Sequence, residues 1–263
     1  MQTTKSYALT AITHPSTPGM GRLFQATIGD FMDNLAGYAK VGLIQTILDV
    51  IVVSVFPVMM QLAMSFFFLL YGIPGYIASD MAHTSGVSSE LIGFAVRTLV
   101  VLYCGSVGLS CVAFLAGLRA LIAPVTAGLS RAIAQHQRGE GGIEFNGVFR
   151  TVTQDLIPVV VVTAIVSSII LIGAAFCYLP GVVATGLLSF APSLVFLHRR
   201  SSWDAVRTSV RYAIANPAFS VVFACVVAGV SMLAPCVPVF GGAFVLALRV
   251  RAFREVFGDS PSL

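Results

Sequence analysis

Residues 156–197 read LIPVVVVTAIVSSIILIGAAFCYLPGVVATGLLSFAPSLVFL, forty-two residues between Asp155 and His198 without a charge. One bilayer crossing takes about 20 apolar residues, so this run is long enough for two. The breaker Leu179-Pro180-Gly181 falls where a hairpin would turn. Three other uncharged runs share the chain: Val50 to Ser79, Thr98 to Leu118, and Tyr212 to Leu248. Together they predict an all-α, polytopic membrane helical bundle. Its six transmembrane helices are expected near 47–73, 93–118, 156–177, 182–198, 217–233 and 239–256. Pro57 lies inside the first, where a membrane helix tolerates it.

Composition agrees with this reading. The 263 residues are 57% hydrophobic and 10% charged, and mean hydropathy is +0.93. Soluble domains are roughly 45–50% apolar and about 25% charged. The expected division is a flexible N-terminal segment over 1–21, a single integral membrane domain over 22–258, and a tail over 259–263. The N-terminal stretch lacks the apolar centre of a signal peptide, so the first span is expected to act as an uncleaved insertion signal.

Lys and Arg set orientation. With six spans both termini share one side, and fourteen of the fifteen Lys and Arg residues fall on it, from Lys5 to Arg254, against Arg97 on the other. Both termini are therefore expected in the cytoplasm. The Arg residues mark span ends and do not interleave with aromatics, so no nucleic-acid partner is expected.

The chain also reads as three tandem units, each an amphipathic interfacial helix followed by two spans. The apolar stripes are Phe24, Ile28, Phe31 and Leu35; then Phe145, Val148, Phe149, Val152 and Leu156; then Trp203, Val206, Val210 and Ile214. Each follows the 3.6-residue period. Pro158 matches Pro217, and Pro180 matches Pro238. Cys177 and Cys236 precede the second pair, either as a disulfide in an oxidising compartment or as two equivalent free thiols.

Candidate functional residues are the charges at depth. Asp49 and Arg119 are equidistant from the first turn, which suggests a salt bridge or two separate interfacial charges. Asp155 is level with Arg199 and Arg200 across the second turn. Arg97 lies one turn into the second span and is expected to snorkel outward, toward Glu90. Arg249 falls only eleven residues after Pro238, about 16 Å of helix, near mid-bilayer. It would contact a substrate or ion, snorkel inward, or belong to a low-lying helix. Gln45, Gln61, Arg97, Asp49 and Arg249 are the candidate pore-lining groups. In the third connector Ser201-Ser202-Trp203-Asp204 opens a capped helix. Arg199, Arg200, Trp203, Arg207 and Arg211 are candidate contacts for anionic lipid.

Chemical motifs are missing from the sequence. There is no HExxH, no paired His, no GxSxG and no CxxC, and Arg138-Gly139-Glu140-Gly141-Gly142 lacks the Lys-Ser/Thr of a phosphate loop. No cofactor and no enzymatic activity are expected.

Several short elements of the C-terminal half carry a resemblance. They are Arg138-Gly139, Phe149-Arg150, Leu179-Pro180-Gly181, Phe190-Ala191-Pro192, the stretch from Ser202 to Ser209, Asn216-Pro217 and Phe257-Gly258. Over roughly 120–258 the chain resembles uncharacterised six-span bacterial inner-membrane proteins. This group includes YciC-like proteins and the membrane domain fused to glycerophosphodiester phosphodiesterases. The resemblance implies a bacterial inner-membrane location and carries over no catalytic residue. Arg249 departs from the apolar last span of that group. The expected function is a non-enzymatic membrane protein that organises lipid or serves as the membrane subunit of a larger assembly. The alternative is a transporter or channel, with anionic solutes among its candidate substrates. Membrane lipids are the expected partners, together with a second protein or a further copy of the chain.

Overall fold

The computed structural model describes residues 17–72, 76, 80, 89–143, 156–176 and 178–258. Among these residues the regular structure is entirely helical. In chain order the helices are α1 (Met20–Asp33), α2 (Leu35–Phe67), α3 (Ser89–Gln137), α4 (Leu156–Phe176), α5 (Tyr178–Leu188), α6 (Ala191–Phe196), α7 (Ser202–Ala215), α8 (Pro217–Leu233) and α9 (Pro238–Phe257). Four stretches are long and apolar enough to cross a bilayer: Leu35–Val52, Val101–Gln137, Leu156–Ala174 and Leu179–Phe196. Helices α7 and α8, bent by 110° at their junction, make a fifth if counted as one span. The chain is thus a helical membrane protein.

The chain divides into two compact units. One is Val50–Leu115, built from the later part of α2 and the earlier part of α3. Its described surface is dominated by large apolar side chains, among them Leu62, Phe66, Phe94, Val101 and Leu109. Such a surface suits lipid tails or another helix rather than water. Within this unit the Tyr103 hydroxyl donates to the Met64 carbonyl at 3.3 Å.

The other unit is Met1–Asp49 with Ala116–Leu263. Its core is aromatic. Phe190 stacks on Phe223 at 5.4 Å, and Tyr212 meets Phe257 at 5.3 Å. Small residues bring the backbones close, as membrane helices require in the absence of a strong hydrophobic drive between them. Gly173 of α4 lies against the Pro180–Gly181 backbone of α5, with 3.1 Å from a would-be Cβ to the nearest atom. The Leu179-Pro180-Gly181 breaker therefore sits inside the first turns of α5, and the reversal itself comes earlier. The second arm of the hairpin is also divided: α5 ends at Leu188, and α6 begins at Ala191 with Pro192 in its first turn.

Helices α1 and α7 are built alike. Each has 14 residues and each ends at an Asn, Asn34 at φ −139°, ψ 53° and Asn216 at φ −130°, ψ 62°. The next helix starts one residue later in both cases. Asn34 caps α2 by accepting the Gly37 amide at 3.1 Å. Asn216 precedes Pro217, which suits the first position of α8 because it needs no amide donor there.

The two described stripes are divided between protein and surroundings. In α1 the buried residues are Leu23, Thr27 and Phe31, while Ile28, and Leu35 at the start of α2, are exposed. In α7 they are Ala205, Val206, Thr208, Ser209, Tyr212 and Ala213, while Trp203 and Ile214 are exposed. Small and hydroxylated residues share the protein-facing side with Leu23, Phe31, Val206 and Tyr212, and the bulky apolar residues that face outward lose nothing in apolar surroundings. Of the middle stripe only Leu156, exposed at the start of α4, is described; the rest falls within 144–155, outside the described residues.

The expected last span is α9, which has 20 residues. Only its first half is uncharged, since Arg249, Arg251, Arg254 and Glu255 crowd the second. It is not among the helices apolar enough to cross alone.

Candidate functional site

Two charged regions of the larger unit hold most of the sequence-predicted residues. The first lies where α2 meets α9. Gly42 allows the approach, since a Cβ there would sit 1.4 Å from the Val239 carbonyl oxygen. The Thr46 hydroxyl donates to the Pro238 carbonyl. One turn further along α9, Gly242 leaves room for the Gln45 side chain. Gln45 Nε2 donates to Asp49 Oδ1 at 3.2 Å, and Gln45 Oε1 is enclosed without a partner.

Gly242, Leu246, Arg249 and Phe253 follow one another at intervals of four, three and four, and so share one face of α9. Arg249 is half-buried. Its Nε is enclosed and has no hydrogen-bond partner, and no ion pair reaches it among the described residues. Arg119 is exposed, and its charge acts on both Asp49 and Arg249. The direct Asp49–Arg119 salt bridge does not form. Gln45 takes the carboxylate instead. An enclosed N–H without an acceptor costs about 1–3 kcal/mol, so the unpartnered Arg249 Nε calls for explanation.

Further along α9 the charges are paired. Arg251 bonds Asp30 of α1 at 3.2 Å and Glu255 one turn on, also at 3.2 Å. Burial pushes the Asp30 carboxyl above its ordinary range, and the Arg251 charge offsets this only in part. Asp30 is 221 residues from Arg251, so sequence spacing held no hint of the pair. Arg131 likewise carries no local signal in the sequence. It is buried, and its Nε donates to the Phe196 carbonyl at 2.7 Å, satisfying one of the carbonyls left open where α6 ends.

The second region is the outer face of α7. The Ser201 hydroxyl accepts the Asp204 amide at 3.3 Å and donates to the Asp204 carboxylate at 2.9 Å, the cap the sequence suggests. Trp203 is 59% exposed and Ile214 67%; Arg207 and Arg211 lie between them, also exposed. The Arg207 guanidinium stands 5.7 Å from the Trp203 ring centre. This is a mixed face of basic heads and apolar surface. The opposite face is fixed to the protein, where the Ser209 hydroxyl donates to the Leu187 carbonyl at 2.7 Å. Of the two preceding arginines, Arg200 is half-buried and donates to Thr208 at 3.3 Å. Arg199 is exposed and has φ 49°, the one positive φ among the described non-glycine residues.

The remaining candidates lie apart. Arg97 and Gln61 belong to the smaller unit, both exposed. Asp155 and Cys177 lie outside the described residues. Cys236 is an exposed free thiol, and Cys111 and Cys225 are also free. No group of three His, Cys, Asp or Glu able to hold a metal occurs among the described residues. Comparison of the chain with family models, with curated proteins and with solved structures finds no match.

Proposed function

We propose that this chain is a non-enzymatic, multi-pass protein of a bacterial inner membrane that gathers anionic lipid along the outer face of α7. The observation carrying this reading is the alignment of Trp203, Arg207, Arg211 and Ile214 on one exposed face whose opposite side is buried. A basic residue near an anionic surface contributes about 1 kcal/mol, and Trp favours the headgroup boundary. The 110° bend at Asn216-Pro217 supports the same arrangement, because it lets α7 lie along the surface while α8 enters the bilayer.

In this proposal α9 is the sixth span. Its Arg-rich end reaches the cytoplasmic surface by snorkelling, and both termini are cytoplasmic. The matched Asn joints of α1 and α7 support a tandem repeat of interfacial helix and span pair. Kinship with the six-span inner-membrane group belongs to the same proposal. The apolar Val50–Leu115 surface would seat a partner helix or a second copy, in keeping with a subunit of a larger assembly.

The test is the lipid retained by the purified full-length protein. Wild type is expected to be enriched in anionic lipid by at least about two-fold over the source membrane. The double variant R207E/R211E is expected to fall to the source ratio. Equal enrichment in both would remove this reading. A second reading, a transporter or channel, is favoured by the unpaired Arg249 alone; saturable solute uptake into proteoliposomes that R249Q abolishes would decide for it.

A further inference from the structure

On α9, Arg249 shares a face with Gly242, against which Gln45 of α2 packs, and Gln45 bonds Asp49 one turn on; the Arg119 charge of α3 acts on both Asp49 and Arg249. Two guanidinium groups against this one carboxylate leave one positive charge in excess. Asp49 is already engaged by Gln45 at 3.2 Å, and the Arg249 Nε is enclosed without a partner. The neighbouring Gln45 Oε1 is enclosed and unsatisfied as well. A charge shielded from water is expensive unless something pairs with it. A planar guanidinium matches two oxygens of a phosphate or carboxylate. Asp49 and Arg119 are exposed, so the site is open at the helix surface and a ligand reaches it from the side. The apolar groove of about 230 Å³ lined by Phe31, Leu233, Phe240 and Phe244 occupies a different face of α9, since residues 240 and 244 lie well over 90° around the helix from 242 and 249.

We infer that Arg249 holds one phosphate group, with Arg119 adding positive charge and Asp49 limiting the excess to one. The group belongs either to an anionic phospholipid or to inorganic phosphate. The inference does not depend on the α7 face.

The experiment uses the full-length protein, delipidated in a neutral detergent, with two probes: radiolabelled inorganic phosphate, and short-chain phosphatidylglycerol counted by native mass spectrometry. Wild type is expected to bind one equivalent of at least one probe, and the responding arm identifies the source. R249Q is expected to weaken that binding about ten-fold or more, the effect of losing a charge-assisted hydrogen bond. D49N is expected to tighten it several-fold, because the competing carboxylate is gone; a misfolded protein would not gain affinity. R22Q, an exposed arginine of α1, should leave it unchanged, and every phosphatidylglycerol count is taken in the R207E/R211E background, so that lipid held by α7 does not enter. Absence of binding in both arms overturns the inference. So does binding that R249Q leaves at the wild-type level. If R249Q does not fold, D49N decides: tighter binding supports the site, and unchanged or weaker binding overturns it.

Discussion

At Gly42 a single hydrogen atom decides whether two helices can meet. A methyl group there would overlap the Val239 carbonyl, so G42A must push α2 and α9 apart. The expected loss is at least 2 kcal/mol, within the roughly 1–3 kcal/mol usual for overpacking. Gly29, with nothing within 4 Å of its would-be Cβ, is the comparison. G29A should gain about 0.5–1 kcal/mol from helix propensity. Thermal unfolding in detergent would compare them, and equal effects would contradict the packing described. Arg251 permits a pH test. Removing it in R251Q leaves Asp30 and Glu255 without their shared counter-charge. Asp30 already titrates above its ordinary range because of burial, and without Arg251 burial would raise it further. The folded variant then binds more protons than the unfolded chain between about pH 4 and the raised value, so stability is greatest at low pH and falls as pH rises through that window. Melting curves should show the deficit of R251Q against wild type growing from about pH 5 to pH 8. A deficit that does not change with pH would contradict this. Arg249 was legible in the sequence because a charge interrupts an apolar run. Gly42, Gly242 and Arg131 were not, since each acts on a residue far along the chain.

At the scale of elements, α7 shows how an apolar stripe divides in a membrane protein. Of Trp203, Val206, Val210 and Ile214, the outer two are exposed while Val206 is buried and Val210 packs against the core, beside Ala205, Ser209 and Ala213. Where the surroundings are apolar, the protein-facing side is the one that packs closely and makes hydrogen bonds. Ser209 is the anchor, and S209A would leave the Leu187 carbonyl unpaired. The expected cost is about 1–2 kcal/mol, read by chemical denaturation, whereas a change on the exposed face such as I214T should cost under about 0.5 kcal/mol. Helix ends were legible only where proline marks them. Pro217 and Pro238 announce α8 and α9, but nothing at Asn34 announced a joint matching that at Asn216. Helix α3 runs 49 residues through Arg119 and Pro124, although the sequence suggested a span ending near residue 118. A charge marks where a helix leaves the apolar layer and does not end the helix.

For the whole molecule, membrane residence follows from composition and from uncharged length, and both survive errors in any single boundary. The proposed function was far less legible, because lipid contact needs no fixed motif and its basic residues are the same ones that would orient the chain. The Arg207–Trp203 contact makes the difference testable, since Trp203 is the chain's single tryptophan. Its fluorescence reports α7 and nothing else. In proteoliposomes mixing phosphatidylcholine and phosphatidylglycerol, bromine can be placed on the acyl chains of either lipid. At equal mole fraction, brominated phosphatidylglycerol should quench Trp203 more strongly than brominated phosphatidylcholine, most of all with bromines near the headgroup, and R207E/R211E should abolish the preference. Equal quenching by the two lipids in the wild-type protein, or no quenching by either, would contradict the proposal that α7 gathers anionic lipid.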